Sequence, residues 1–533
     1  MEFDYVIVGG GSAGCVLAGR LSEDPEVSVC LLEAGPTDSS VLVRAPLGFA
    51  AGAPLGLNTA RYESTPQAEL GGRRVFQPRG KVLGGSSSIN AMVYCRGVAG
   101  DYDTWAAQGN PGWDWASVLP LFKRAENSEG TGSNAWRGAG GPLNVAHLRS
   151  PMPIGEAFLR ACEAQGVARN PDYNGADQDG CAPVQVTQRG GERCNAAAAY
   201  VTPHLRRPNL KVLVAAQAER IEFAGRRAGA VRARIGGRRV VVRARREVIL
   251  SAGAFGSPQL LMLSGIGPGD HLHELGLPLV HELAGVGANL QDHVNTSLIW
   301  RSPRTEATLG LSVAGAAALL RGIGQWRRQR TGIITSNVAE ALAFLRTREG
   351  LEAPDVQLHF VVAIVDDHTR KMHLGHGFTV HVTLLRPRSV GNVRLASLDP
   401  RAALRIDPRY LSDAEDLRTL MDGTRMAMRI VQGDALAPYR GALLYRFDPE
   451  DARDLEREVR RSTDTEYHPI GTCRMGPAAD PAAVVGADLR VHGVERLRVV
   501  DASIMPSLPG GNTNAAAIMI GEKAADLIRA ETA

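Results

Sequence analysis

Aromatic side chains make up only 5% of these 533 residues, and other scarcities are equally informative. No two cysteines stand in a C-x-x-C spacing, and the seven present, Cys15, Cys30, Cys95, Cys162, Cys181, Cys194 and Cys473, are odd in number and widely spread. That argues against a disulfide framework or a cysteine zinc site and points to reduced thiols. No apolar run reaches the roughly 18 residues of a spanning helix. The nearest, residues 309–320, is followed by Trp326, Arg327, Arg328 and Arg330. A buried core helix is the expected reading of that stretch; the alternative is a segment in peripheral contact with a membrane, its arginines near anionic headgroups. The formal net charge is only +4, and the basic runs 243–246 and 327–330 are short and carry no interleaved aromatics. Nucleic acid is therefore not an expected partner. No internal repeat or low-complexity tract stands out, which sets solenoids aside. The first strand-like run starts near the fourth residue, leaving no room for a secretory leader, so the expected location is cytoplasmic.

The length is more than one hydrophobic core usually supports, so two or more domains are expected. In "FDYVIVGGGSAGCVLAGRLS", from Phe3, the pattern changes from a strand to a small-residue helix. Gly9, Gly11 and Gly14 fit G-x-G-x-x-G, in which glycines permit the tight turn, the approach of a pyrophosphate and close helix–strand packing. A second apolar run ends at Glu33, where a carboxylate can accept hydrogen bonds from ribose hydroxyls. This predicts a dinucleotide site without separating FAD from NAD.

Further strand-like runs occur at residues 210–214 and 240–242, in "EVILSAGAFGSPQLL" from Glu247, and at 497–500, ending at Asp501. The nucleotide domain is therefore expected to be discontinuous. Alternation in "DVQLHFVVAIV" and "GFTVHVTLL" predicts a largely antiparallel sheet with one face buried, and residues 413–431 read as a helix. The fold class is α/β, or α+β taken whole: a Rossmann-like nucleotide-binding domain with an antiparallel-sheet substrate domain. The expected division is 1–300 for nucleotide binding, with part of the substrate cap inserted near 156–190, then 301–461 for substrate, and 462–533 returning to the nucleotide domain.

A second glycine turn, "GKVLGGSSSIN" from Gly80, can be a serine-capped turn or a backbone passing close to a flat ring or phosphate. Together with "GAFGSPQLLMLSGIG" from Gly253, "YHPIGTCRMG" from Tyr467 and "DASIMPSLPGGNTNAAAIMIGEKAADLI" from Asp501, it resembles the glucose-methanol-choline oxidoreductase family. The resemblance implies FAD, with its flavin at the junction of the domains. It places Gly84, Gly85, Asn90, Ala91, Met92 and Val93 along the flavin, and the backbone of Ala218 at the adenine. Ser12, Ala13, Ala34, Ser251 and Gly253 join the glycine turn and Glu33, while Asp501, Ala502, Asn512 and Thr513 close the site from the C-terminal side. Covalently flavinylated relatives carry histidine where this chain has Ile89, so the FAD is expected to be held non-covalently.

The resemblance also assigns His468 as the base that takes an alcohol's proton and Asn512 as its partner. An imidazole titrating near neutrality suits the first role, and an amide N–H stabilising a developing alkoxide suits the second. Glu340 is expected to face the substrate; the alternative is a solvated acid on a helix. Choline would call for a carboxylate plus an aromatic cage, and the scarcity of aromatics disfavours the cage; the segment from Val365 looks more like bacterial dehydrogenases of uncharged primary alcohols. The expected activity is oxidation of a primary alcohol to the aldehyde. A potential negative charge at Glu466 favours a quinone or another carrier as electron acceptor; choline dehydrogenation and an oxygen-using oxidase are the alternatives. A competing reading from another class, a metal-binding module, draws on Asp366, Asp367, His368, His373 and His376. Their spacing matches no compact ligand pattern, and no metal is expected.

Overall fold

The computed structural model describes residues 1–52 and 55–531. Strand Glu2–Val8 is apolar along most of its length because both its faces are covered. It pairs in parallel with Val29–Leu32 on one side and with Arg238–Leu250 on the other. Leu210–Leu213 extends this parallel sheet at one edge. From the far end of the chain, Leu497–Val499 pairs with residues 248–250. The first half of the long Arg238–Leu250 strand also pairs antiparallel with Arg227–Ile235, which in turn pairs with Ala216–Ala224.

Helix Ser12–Leu21 follows the first glycine turn and packs against the C-terminal helix Asn514–Ala530. Their approach depends on a glycine, since a Cβ on Gly521 would lie 2.8 Å from the Val16 side chain and 3.0 Å from the Ala13 carbonyl. A buried polar knot fixes the register: Glu522 accepts from Arg20 at 2.9 Å, Arg124 at 2.9 Å and the Tyr200 hydroxyl at 2.8 Å. Breaking such a knot by removing one partner is costly, because it leaves a buried charge uncompensated.

The second sheet is antiparallel throughout its main path, in the order Thr463–Thr465, Val294–Arg301, Gly375–Leu384, Val356–Val361, Ala339–Leu345 and Gly180–Pro183. The expectation of one buried face is corrected here: Val356–Val361 is buried at every position, and nearly all of Gly375–Leu384 is. Helices Pro153–Ala164 and Ala414–Gln432 pack on one face, around Phe158, Leu358, Phe360 and Val380, while the other carries the buried His359 and Thr383.

Residues 309–320 also differ from expectation. They form no buried core helix: Val313–Gln329 is helical, but only Gly322 and Trp326 are buried. The apolar run suggests burial, yet beyond Leu309, which packs against the core, Leu311, Val313, Leu319 and Leu320 are exposed. No helix among the described residues is long and apolar enough to cross a membrane.

Candidate active site

The two glycine turns form one cradle. Gly9 adopts φ +107°, and a Cβ there would lie 2.4 Å from the Ser251 carbonyl oxygen. Gly84 donates its N–H to the Gly10 carbonyl at 2.7 Å, and a Cβ on Gly85 would meet the Gly11 Cα at 2.7 Å. Helices Ser12–Leu21 and Asn514–Ala530 both begin here, linked by a 2.7 Å hydrogen bond from Ser12 Oγ to Asn514 Oδ1. Neither helix has a side-chain cap or an acid in its first turn, so their open N–H groups, including those near Ala13 and Gly14, favour an anion.

Glu33 accepts from Gly10 N at 3.0 Å and Gly35 N at 2.7 Å, and burial raises its pKa to about 7. Each oxygen retains a lone pair for a ribose hydroxyl. Half-buried Ala34 follows it. The backbone of Glu33 is tied to Leu213 and Ala216, and the buried Ala218 lies two residues farther along that strand.

Asn90 Oδ1 accepts from Met92 N at 3.0 Å and from Arg193 Nη1 at 2.8 Å. Met92 itself has φ +60°, while the Ala91 carbonyl accepts from Asn337 Nδ2 at 2.7 Å and Val93 bridges to Val186. Arg193 is buried, bonds the Val43 and Ser87 carbonyls, and makes no ion pair with an acid among the described residues. Asp501 takes a structural position, accepting from Gly253 N at 2.9 Å, Ser257 Oγ at 2.5 Å and Ser503 N at 2.8 Å, with Ala502 between. Ser251 Oγ donates to the Val500 carbonyl at 2.8 Å, and Thr513 is the residue before the C-terminal helix. The crowded glycines, the open helix ends and the buried, unpaired Arg193 fit an anionic dinucleotide.

A short hydrogen-bonded chain runs through His468. Its Nδ1 lies 3.0 Å from Nδ1 of His293, whose Nε2 lies 3.0 Å from the Leu385 carbonyl oxygen. A carbonyl only accepts, so His293 carries its proton on Nε2 and presents a lone pair at Nδ1. Burial lowers the His293 pKa to about 3, keeping that ring neutral. His468 must then hold its proton on Nδ1, which leaves the Nε2 lone pair free. The Asn512 amide points at that lone pair, with Nδ2 3.2 Å away. Burial, reinforced by His293 and His359, holds the His468 pKa well below the usual imidazole value, so the ring is a neutral proton acceptor at pH 7. The backbone is fixed by Asp292, which accepts from His468 N at 2.8 Å, Thr465 Oγ1 at 2.5 Å and Tyr410 OH at 2.5 Å.

Glu466 does not bring the negative charge expected of it. Burial, with the field of Asp292, raises its pKa to about 8, so its carboxyl is mainly protonated at neutrality. One oxygen accepts from Asn295 Nδ2 at 2.6 Å and the other lies 3.8 Å from His359 Nδ1. Glu340 is not a solvated helix acid: it lies buried on strand Ala339–Leu345, where Oε2 accepts from Met152 N at 2.9 Å. Its other oxygen is buried without a partner, and burial raises its pKa to about 7. No hydrogen bond joins it to His468 or Asn512 among the described residues.

The acid- and histidine-rich segment does not converge. His373 pairs with Asp366 at 2.7 Å, His376 bonds Ser312 Oγ at 2.8 Å, and His368 reaches Asp464 at 2.9 Å. Asp367, His368 and Asp464 come close together, but Arg370 and Arg73 already neutralise the two acids. His293 and His359 were not singled out from the sequence. The signal for His359 was present in "DVQLHFVV", where a histidine interrupts an apolar strand.

Two models of the GMC oxidoreductase family match residues 3–295 and 387–521. An alcohol dehydrogenase [acceptor] of Pseudomonas putida is 41% identical over 529 residues, covering 99% of this chain and 95% of that protein. An oxygen-dependent choline dehydrogenase of Brucella ovis is 42% identical, covering 100% of this chain and 96% of its own length. The crystal structure of pyridoxine 4-oxidase from "Mesorbium loti" superposes with a TM-score of 0.89 at 32% identity, over 99% of both chains. The glycine cradle, the two-sheet architecture and these matches over nearly the whole length agree: this chain belongs to the GMC oxidoreductase family.

Proposed function

We propose that this FAD-dependent oxidoreductase oxidises an uncharged primary alcohol to the aldehyde, with His468 Nε2 accepting the hydroxyl proton. The observation that carries the reading is the hydrogen-bonded order Leu385 carbonyl, His293, His468, Asn512. FAD, held by the glycine cradle, supplies the two-electron acceptor for the hydride. An alcohol hydroxyl placed at His468 Nε2 takes the position that the Asn512 amide now addresses. Asn512 Nδ2 then hydrogen-bonds the same oxygen and stabilises the charge that develops as the proton leaves. His293 keeps the proton of His468 on the far nitrogen throughout.

An uncharged substrate is favoured because a quaternary ammonium group would call for an aromatic cage, and aromatics are only 5% of the chain, while the carboxyl of Glu466 beside His468 is mainly neutral. The acceptor is proposed to be a quinone or another non-nicotinamide carrier, in keeping with the unspecified acceptor in the name of the Pseudomonas putida relative; the mainly neutral Glu466 brings no charge that would favour it. The test is anaerobic flavin reduction by a panel of alcohols, followed by reoxidation with a quinone analogue or oxygen. Reduction by primary alcohols and faster reoxidation by the quinone are expected. Reduction by choline alone, or peroxide formed at the turnover rate, would overturn the respective part.

A further inference from the structure

Helix Val313–Gln329 is turned inside out for a helix on a globular surface. Ser312 caps its start by accepting from Gly315 N at 3.0 Å, and Trp326 anchors its end, donating to the Gly191 carbonyl at 2.8 Å. Between these anchors the apolar residues face solvent: Val313 is 90% exposed and Leu320 71%, with Leu319 and Ile323 also open. Val313, Leu320 and Arg327 succeed one another at intervals of seven and share one face. The patch continues past the helix start, where Leu311 bridges to Leu374, and Leu374 and Met372 are 79% and 73% exposed. Contiguous apolar surface of this kind marks an interaction site.

The charge on the helix selects the partner. Val313–Gln329 contains no acidic residue, and Arg321, Arg327 and Arg328 are exposed and form no ion pair among the described residues; the nearby Arg330 is neutralised by Glu192 at 3.0 Å. A symmetric contact with a second copy would leave these arginines without a counter-charge, since the same helix of the partner supplies no acid. An anionic lipid surface satisfies both features, with apolar side chains at the acyl boundary and guanidinium groups among phosphates. We propose that this helix, with Leu311, Met372 and Leu374, docks the protein on an anionic bilayer as a peripheral contact. The inference is independent of the reaction proposed above, because none of these residues belongs to the catalytic chain.

Co-sedimentation of the holoenzyme with phosphatidylcholine vesicles, with and without phosphatidylglycerol, tests it. Binding is expected on the anionic vesicles, weakening as salt is raised. Leu320→Glu should weaken it by about tenfold or more, and Arg327→Gln and Arg328→Gln by about fivefold each. Melting temperature and turnover with a soluble acceptor should remain those of the wild type, since the substituted side chains lie outside the core. Failure to bind anionic vesicles more tightly than neutral ones, or equal binding by the wild type and all three variants, would overturn the proposal. So would a wild-type dimer that Leu320→Glu dissociates, which would assign the face to a second copy.

Discussion

His293 Nδ1 and His468 Nδ1 stand 3.0 Å apart, and the Leu385 carbonyl on the far side of His293 determines which nitrogen holds the proton. The tautomer that leaves Nε2 of His468 open, as the proposed reaction requires, is thus set through His293 by a backbone oxygen that can only accept. Without that chain, the His468 proton is free to occupy Nε2, where it blocks base function. His293→Leu should therefore slow anaerobic flavin reduction by at least about fivefold, the worth of roughly one buried hydrogen bond, with FAD content and alcohol affinity largely kept. Rapid-mixing spectroscopy measures this, and an unchanged reduction rate would show that His293 does not set the tautomer.

Glu466 makes a prediction about stability with a definite sign. Its folded pKa is raised from 4.5 to about 8, chiefly by burial, so the folded protein holds this proton more tightly than the unfolded chain does. The contribution is fully present below about pH 4.5, declines as pH rises toward 8, and then levels off. Glu466→Gln removes that dependence. The melting temperature of the variant minus that of the wild type should grow across this window; a flat or shrinking difference would mean the carboxyl is not held protonated.

The half-buried Ile89 at the end of the second glycine turn offers no nucleophile for a flavin. Acid precipitation should release all of the FAD to the supernatant, as judged by its absorbance. Yellow colour retained in the washed pellet would indicate a covalent bond elsewhere.

Local pattern made the nucleotide half legible. Gly9, Gly14 and Glu33 announce themselves because a tight turn and a strand-ending acid leave fixed spacings in the sequence. The helix at 414–432 and the strand at 356–361 follow from periodicity in the same way. What stayed hidden depends on long-range packing. His293 meets His468 from 175 positions away, and no local pattern carries that distance. Glu466 reads as an anion until its burial is known. Residues 309–320 read as core because composition does not reveal which side of a helix meets the protein. Glu340 is expected from the sequence to face the substrate or to be a solvated helix acid; its strand, its burial and its bond to Met152 N come only from the fold.

His468 and Asn512 serve the same substrate oxygen in this account, and their substitution tests it most directly. His468→Ala should lower the limiting rate of anaerobic flavin reduction by about 10²- to 10⁴-fold. Asn512→Ala should lower it by about 10²-fold, as for loss of one donor to a developing oxyanion. The double variant should be less impaired than the product of the two effects, because the residues act together. The decisive measurement is the rate at saturating primary alcohol for His468→Ala protein shown to contain its full complement of FAD. A rate reduced by at least two orders of magnitude is predicted; reduction at the wild-type rate would remove His468 from the chemistry and contradict the account.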